Sequence, residues 1–221
     1  MASDGVNYPG GYRESLIQKY KRYKILYPRI LMRMGEPNIR KHSHYHEILH
    51  REERFLDYGC GTGDDIRALV NDGYPRRNIV GYDVNWCSIN LGFDLYLDRG
   101  TFEYLFVVSK KFPFKSSTFG IVYSGSVIHV LANKRTVKRY VSTAYKTLNQ
   151  GGIFFGSTRG LRKEPLKSVG KELKRNIWHM RINLLSKEEL HDLLCETGFS
   201  NIEVSEEQQE DKVRLWFYAK K

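Results

Sequence analysis

The chain has 221 residues, 41% of them hydrophobic and 28% charged, enough apolar side chain to bury one sizeable core, which excludes a disordered or fibrous chain. Thirty-six Lys and Arg against 25 Asp and Glu leave a net charge of +11, a balance that attracts acidic small molecules, nucleic acid or anionic surfaces without choosing among them. Cys60, Cys87 and Cys195 are widely spaced and form no C-x-x-C pair, which argues against a disulfide scaffold or a cysteine zinc site and for a reducing compartment.

No apolar run approaches the roughly 18 residues that span a bilayer, and Met1 to Gly10 lack the apolar segment of a secretory signal. A cytoplasmic protein without a membrane partner is expected.

From Met1 to His50, nine Lys and Arg face four Asp and Glu, and six tyrosines and four histidines share the stretch. Such interleaving of cations and rings suits either single-stranded nucleic acid or a solvated helical lid. The expected organisation is a helical extension over 1–51 and one domain over 52–221. Within the extension, His46-Glu47-Ile48-Leu49-His50 matches H-E-x-x-H, which on a helix can hold zinc. It stops just before the first strand, and the acids that could complete a site belong to the next loop, so no metal is expected.

From Phe55 onward, short β-rich runs alternate with helical periods: Phe55 to Tyr58, Asn78 to Asp83, Leu105 to Val108, Phe119 to Ser124 and Gly152 to Ser157. This alternation predicts an α/β fold with a mostly parallel, doubly wound sheet. Val137, Tyr140, Val141, Ala144, Tyr145 and Leu148 recur at helical spacing and predict an amphipathic helix over one sheet face. Ser186-Lys187-Glu188-Glu189 reads as a capping box opening a helix with Leu190, Leu193 and Leu194 on its buried side and Gly198 at its end. Asn201 to Ser205 and Val213 to Ala219 then read as two strands of an antiparallel hairpin, joined across the polar stretch Glu206 to Asp211.

The most informative segment is Phe55-Leu56-Asp57-Tyr58-Gly59-Cys60-Gly61-Thr62-Gly63-Asp64-Asp65, a β run, alternating glycines and the start of a helix whose period resumes at Ile66, Leu69 and Val70. Glycines there let a ligand approach bare backbone at a helix start. The spacing is G-x-G-x-G rather than the G-x-G-x-x-G of dinucleotide sites, and its flanking acids would repel a diphosphate and suit a cationic ligand. The next strand ends in Asp83, 20 residues beyond Gly63, where a carboxylate can accept from both hydroxyls of a ribose.

On these residues the chain resembles the class I S-adenosylmethionine-dependent methyltransferases over roughly 52–221. The resemblance implies a Rossmann-like seven-stranded sheet with a C-terminal antiparallel hairpin, and S-adenosyl-L-methionine as cofactor. It implies cofactor contacts at Asp57, Gly59, Cys60, Gly61, Gly63, Asp83, Val84, Val108 and Ser124. The segments Val127-Ile128-His129-Val130-Leu131 and Leu148-Asn149-Gln150-Gly151-Gly152 are similar to the family's V-L-H-x-L and L-x-P-G-G segments. Asp64 to Gly73 and Gly92 to Arg99 resemble fungal secondary-metabolite methyltransferases, including those acting on meroterpenoid carboxylic acids. Three positions depart from the pattern: Val108 stands where an acid near the adenine is usual, Gly120 replaces the acid of S-F-D-x-V, and Gln150 replaces proline.

Methyl transfer from a sulfonium needs an aligned acceptor and excluded water rather than an enzyme nucleophile. His129 is the candidate base or positioning group for the acceptor, and Arg159, past the fifth strand, the candidate clamp for an acidic one. The residues Arg162, Lys163, Lys167, Lys171, Lys174 and Arg175, ahead of Trp178-His179-Met180, form a basic insertion that reads as a solvated helix or a substrate cap. The expected activity is methyl transfer to an oxygen of a small secondary metabolite. The alternatives are an RNA methyltransferase and a methyltransferase-fold binding or cyclase protein that transfers no methyl.

Overall fold

The computed structural model of the protein describes residues 8–21, 37–161, 183–209 and 212–221. The basic insertion from Arg162 to Arg175, Trp178-His179-Met180, and Arg22, Lys24, Arg29 and Arg33 lie outside the described residues.

The strands are β1 (Phe55–Tyr58), β2 (Ile79–Asp83), β3 (Phe106–Val108), β4 (Phe119–Gly125), β5 (Leu148–Gly160), β6 (Ser200–Gln209) and β7 (Lys212–Lys220). They form one sheet in the order β3-β2-β1-β4-β5-β7-β6. The described helices are α1 (Tyr12–Tyr20), α2 (Tyr45–Leu49), α3 (Asp64–Asn71), α4 (Trp86–Tyr96), α5 (Arg99–Phe102), α6 (Lys134–Thr147) and α7 (Lys187–Thr197). Two compact units divide the chain, one of Met1–Glu52 with Gly59–Pro113, the other of Glu53–Tyr58 with Phe114–Lys221.

In the first unit β2 and β3 run parallel, with Asp83 opposite Val108. Gly81 has no side chain because Ile66 Cδ1 lies 2.2 Å from where a Cβ would sit, so α3 seats directly on β2. Helix α1 is held through α4: Leu16 and Tyr20 bury against Leu91 and Leu95. The Tyr8 hydroxyl donates to the Leu95 carbonyl (2.5 Å), that of Tyr12 to the Asp94 carbonyl (2.8 Å) and that of Tyr20 to Asp94 Oδ2 (2.6 Å), which also accepts from Lys19 Nζ (2.7 Å). Farther along, Asp72 accepts both arms of Arg40 at 2.7 Å and the Tyr45 hydroxyl at 2.5 Å. Four of the six N-terminal tyrosines therefore spend their hydroxyls on fixing this segment to the unit.

In the second unit β1, β4 and β5 run parallel, and their apolar runs are buried without alternation, as strands covered on both faces are. Strand β7 lies antiparallel to β5, from Ile153 opposite Lys220 to Gly160 opposite Val213, and this ladder carries β5 three residues past the expected Ser157. The hairpin is also longer than the polarity of Glu206 to Asp211 predicts, because the β6–β7 ladder continues to Gln209 opposite Lys212. Strand β6 is the outer edge of the sheet and leaves Glu203, Glu206 and Glu207 exposed. The capping box of α7 forms as read: Ser186 Oγ accepts from Glu189 N (3.1 Å), Glu189 Oε2 from Ser186 N (3.0 Å), and Gly198 closes the helix at φ 105°.

The Gly120 departure has a steric cause, since Glu53 Cβ lies 2.5 Å from where a Cβ on residue 120 would sit. Gly156 is constrained more severely, the Ser124 carbonyl oxygen lying 2.1 Å from its would-be Cβ. A methyl group there must push backbone from backbone, so Gly156→Ala is expected to cost about 1–3 kcal/mol and lower the melting temperature by roughly 5 °C. A thermal melt followed by circular dichroism checks this, and an unchanged melting temperature would contradict the close approach.

Candidate functional site

Asp83 ends β2 with both carboxylate oxygens engaged by backbone. Its Oδ2 accepts from Gly61 N at 2.9 Å and its Oδ1 from Asn85 N at 2.8 Å. An ionised carboxylate offers about four acceptor sites, so one remains on each oxygen, the number that two neighbouring ribose hydroxyls require. The Asn85 side chain in turn caps α4, accepting from Cys87 N at 3.0 Å, and so fixes the turn that follows Asp83.

The glycine loop is drawn onto the same strand: Gly59 N and Cys60 N both donate to the Tyr82 carbonyl, at 2.7 and 3.1 Å. Gly59, Gly61 and Gly63 have φ of 83°, 57° and 74°, the left-handed region that favours glycine. Alternation of glycines thus serves backbone conformation, and Cys60 is the small, buried residue between two of them. Beside Asp83, Val84 is 61% exposed, and Val108, which pairs with Asp83 across the strands, is 36% exposed, two apolar side chains left open at the strand ends. Ser109 past β3 is tied back, its carbonyl accepting from the Tyr82 hydroxyl at 2.9 Å. The residues fit the cofactor that the sequence implies: acceptors for a ribose, apolar surface for a base, and bare backbone in the loop.

The first unit therefore brings together Gly59, Cys60, Gly61, Gly63, Asp83, Val84 and Val108. Asp57, Ser124, His129 and Arg159 belong to the second unit. Asp57 is buried in β1 opposite Tyr123. Ser124 is buried at the end of β4, and the Tyr140 hydroxyl bridges its Oγ (2.9 Å) and the Tyr58 carbonyl (2.7 Å), with the Tyr140 ring stacked on Tyr58 at 4.0 Å.

His129 lies on a short 3-10 turn, Ile128–Val130, and is 7% exposed. Its backbone N–H donates to Thr158 Oγ1 (3.1 Å), and its Nδ1 accepts from the Arg159 backbone N–H (3.3 Å) with Thr158 Oγ1 at 3.2 Å. A backbone N–H can only donate, so Nδ1 is the unprotonated nitrogen and the ring proton sits on Nε2. Burial, reinforced by the positive charges of Arg159 and Arg214, pushes the imidazole down from 6.5 to about 4. The ring is neutral at physiological pH and presents an N–H donor. Arg159 itself, half-buried in β5 opposite Arg214, makes no ion pair among the described residues.

This shift has a consequence for stability. Unfolded His129 binds a proton below about pH 6.5 whereas the folded ring resists one until about pH 4, so the unfolded state holds more protons in that window and stability falls as pH drops through it. The full effect is about 3 kcal/mol, and His129→Gln is expected to flatten the dependence of urea unfolding on pH between 6.5 and 4. An equally steep dependence in the variant would show that other groups cause it.

Sequence reasoning missed Arg67, Asp98 and Gly92, which hold the glycine loop from behind. All three lie within the segments Asp64 to Gly73 and Gly92 to Arg99 that resemble the fungal methyltransferases, but nothing there marked a role for Arg67 or Asp98, and for Gly92 only its place as a lone glycine within a helix signalled a close approach. Among the described residues no group of three His, Cys, Asp or Glu could hold a metal ion, and none of the helices is long and apolar enough to cross a membrane.

A mostly parallel sheet with an antiparallel β7, a glycine loop after β1 and an acid closing β2 define the class I, Rossmann-like methyltransferase fold. Solved structures share it at low identity. Phosphoethanolamine N-methyltransferase 2 of Haemonchus contortus, in complex with phosphomonomethylethanolamine and S-adenosylhomocysteine, has a TM-score of 0.70 at 14% identity over 95% of this chain and 60% of that one. An S-adenosylmethionine-dependent methyltransferase of Methanosarcina mazei gives 0.63 at 18% identity over 81% and 97%.

Residues 20–204 match the family described as methyltransferase domain, and the chain belongs to that family. Among curated relatives, the asnovolin E/chermesin D methyltransferase nvfJ of Aspergillus novofumigatus is 36% identical over 96 residues, 39% of this chain and 34% of that protein. Methyltransferase trt5 of Aspergillus terreus is 33% identical over 42% of this chain and 37% of its own length. The matched segments thus span about a third of these relatives.

Proposed function

We propose that the chain is an S-adenosylmethionine-dependent methyltransferase that acts on an oxygen of an acidic small molecule, with the N-terminal segment 1–51 as a helical lid on a methyltransferase domain over 52–221. The observation that carries the cofactor reading is Asp83, whose two oxygens are aimed by Gly61 N and Asn85 N and keep one acceptor position each. Bound there, the cofactor would supply an electrophilic methyl group on a sulfonium. Asp83 would hold the ribose, Val84 and Val108 the adenine, and the glycine loop the methionine end.

The acceptor reading rests on His129 and Arg159. A histidine that already carries its proton on Nε2 and takes up a second only near pH 4 is a donor to an acceptor oxygen and a poor base for a phenol. An ionised carboxylate needs no base, and a guanidinium with no ion pair among the described residues suits it. The relatives named above support a secondary-metabolite acceptor, and a relative described as O-methyltransferase atr3, from Stereocaulon alpinum and 41% identical over 56 residues, 25% of this chain and 16% of that protein, supports an oxygen. Cytoplasmic action in a reducing compartment accords with three cysteines that are widely spaced and form no C-x-x-C pair.

Calorimetric titration with S-adenosylhomocysteine tests the cofactor reading: micromolar binding is expected, and none by the folded protein would sink it. Titration with a single-stranded RNA at rising salt tests the rival, which requires binding that weakens steeply with ionic strength.

A further inference from the structure

Behind the glycine loop sits a buried arginine with an unusually complete set of partners. Arg67, one turn into α3, has a side chain only 5% exposed. Its Nε and one terminal nitrogen grip both oxygens of Asp98, at 2.6 and 2.8 Å. The other terminal nitrogen donates to the carbonyls of Thr62 (2.7 Å) and Gly63 (3.1 Å). Aromatic rings surround the guanidinium, with Tyr96 4.2 Å, Phe102 5.4 Å, Phe106 5.5 Å and Phe93 5.7 Å from Cζ to ring centre.

A guanidinium so far from water must have its charge matched, and Asp98 does so with parallel, bidentate geometry that also fixes the plane of the group. The two N–H groups of the other terminal nitrogen then have one direction to point, and they meet two consecutive loop carbonyls. Peptide units are planar and trans, so fixing the Gly63 carbonyl on Arg67 turns the Asp64 N–H to the opposite side of the loop. On another side, α4 closes in: a Cβ at Gly92 would lie 2.1 Å from the Thr62 carbonyl oxygen. A Cβ at Gly63 would lie 2.8 Å from the Arg67 nitrogen and 2.5 Å from Phe106 Cζ.

We propose that Arg67, oriented by Asp98, is the positioning residue of the cofactor loop: it sets the peptide planes at Thr62 and Gly63 in the conformation that receives the methionine end of S-adenosylmethionine. This rests on the reading of the loop as the cofactor site. Lysine cannot replace it, because a point charge on a flexible stem cannot hold Asp98 in a fork and reach two carbonyls at once.

The test uses the full chain and S-adenosylhomocysteine as probe. Asp98→Asn removes the orienting charge while leaving Arg67 its two carbonyls, and Arg67→Lys removes the fork. Both variants are expected to bind at least tenfold more weakly than wild type. Amide exchange should quicken across residues 59–65 while α6 and β4 stay protected as in wild type. Asp98→Glu, which restores a carboxylate, should recover part of the loss.

Folded variants that bind within twofold of wild type, or exchange that quickens throughout the molecule, would overturn the positioning role. If Arg67→Lys does not fold, Asp98→Asn decides by the same criteria. Wild type that fails to bind the probe overturns the cofactor reading and the role of Arg67 with it, whereas tight wild-type binding with unaffected variants overturns the role of Arg67 alone.

Discussion

Asp83→Ala is expected to weaken binding of S-adenosylhomocysteine by roughly 100-fold or more while the protein stays folded. Two hydrogen bonds from ribose hydroxyls to an ionised carboxylate are each worth about 1.5–3 kcal/mol, and every 1.4 kcal/mol is tenfold in affinity. The substitution has a second arm, because Gly61 N loses the acceptor that holds it at 2.9 Å and Asn85 N loses the one at 2.8 Å. Asp83→Asn separates the two contributions, since its amide keeps one carbonyl oxygen and puts a donor where the other acceptor was. Its affinity should fall between wild type and the alanine variant. Calorimetry on all three proteins gives the answer, and an alanine variant that binds within fivefold of wild type would remove Asp83 from the site.

Arg159→Gln is expected to erase a preference for acidic acceptors without touching the cofactor. The guanidinium is half-buried and makes no ion pair among the described residues, and the backbone N–H of the same residue holds Nδ1 of His129 at 3.3 Å. Because that contact is made by main chain, glutamine keeps the hydrogen bond to the histidine while it removes the charge, and with it part of the downward push on the imidazole. A bidentate pair between guanidinium and carboxylate is worth several kcal/mol when partly desolvated, so binding of carboxylic acids should weaken by roughly 100-fold. A panel of hydroxybenzoic acids and the matching neutral phenols, titrated with S-adenosylhomocysteine present, reads this out. Acids should lose affinity, phenols should not, and S-adenosylhomocysteine should bind as before. Equal losses for both sets would mean that Arg159 supports the fold rather than the acceptor.

How much of this was legible beforehand depended on whether a feature is local in sequence. Strand β1 and the glycine loop were readable because a β run, alternating glycines and a helix period follow one another directly. The α7 capping box was readable because its two bonds join Ser186 and Glu189, three residues apart. Ends set by a partner strand were not: β5 runs on to Gly160 because Val213 is there to pair with it, and β6 continues through a polar stretch because β7 answers each residue. Among candidate site residues, Asp83 stood out by its spacing from Gly63, whereas Arg67 was one cation among 36 until folding placed Asp98, 31 positions away, against it. His129 was visible as a candidate, but its protonation state depended on a backbone N–H thirty residues downstream. The basic, tyrosine-rich N-terminus left its contacts open in a similar way, since composition cannot say that Tyr8, Tyr12 and Tyr20 spend their hydroxyls on α4.

The outer strand bears on how the protein behaves in concentrated solution. A ten-residue edge offers a row of backbone donors and acceptors that could template a strand from another molecule, the usual first step of ordered aggregation. Glu203, Glu206 and Glu207 stand exposed along that row. Two copies meeting edge to edge would bring like charges together across a spacing of about 5 Å, with little water left between them to screen the repulsion. In a chain whose overall charge is strongly positive, these glutamates are a local exception, and they stand against self-association along this edge.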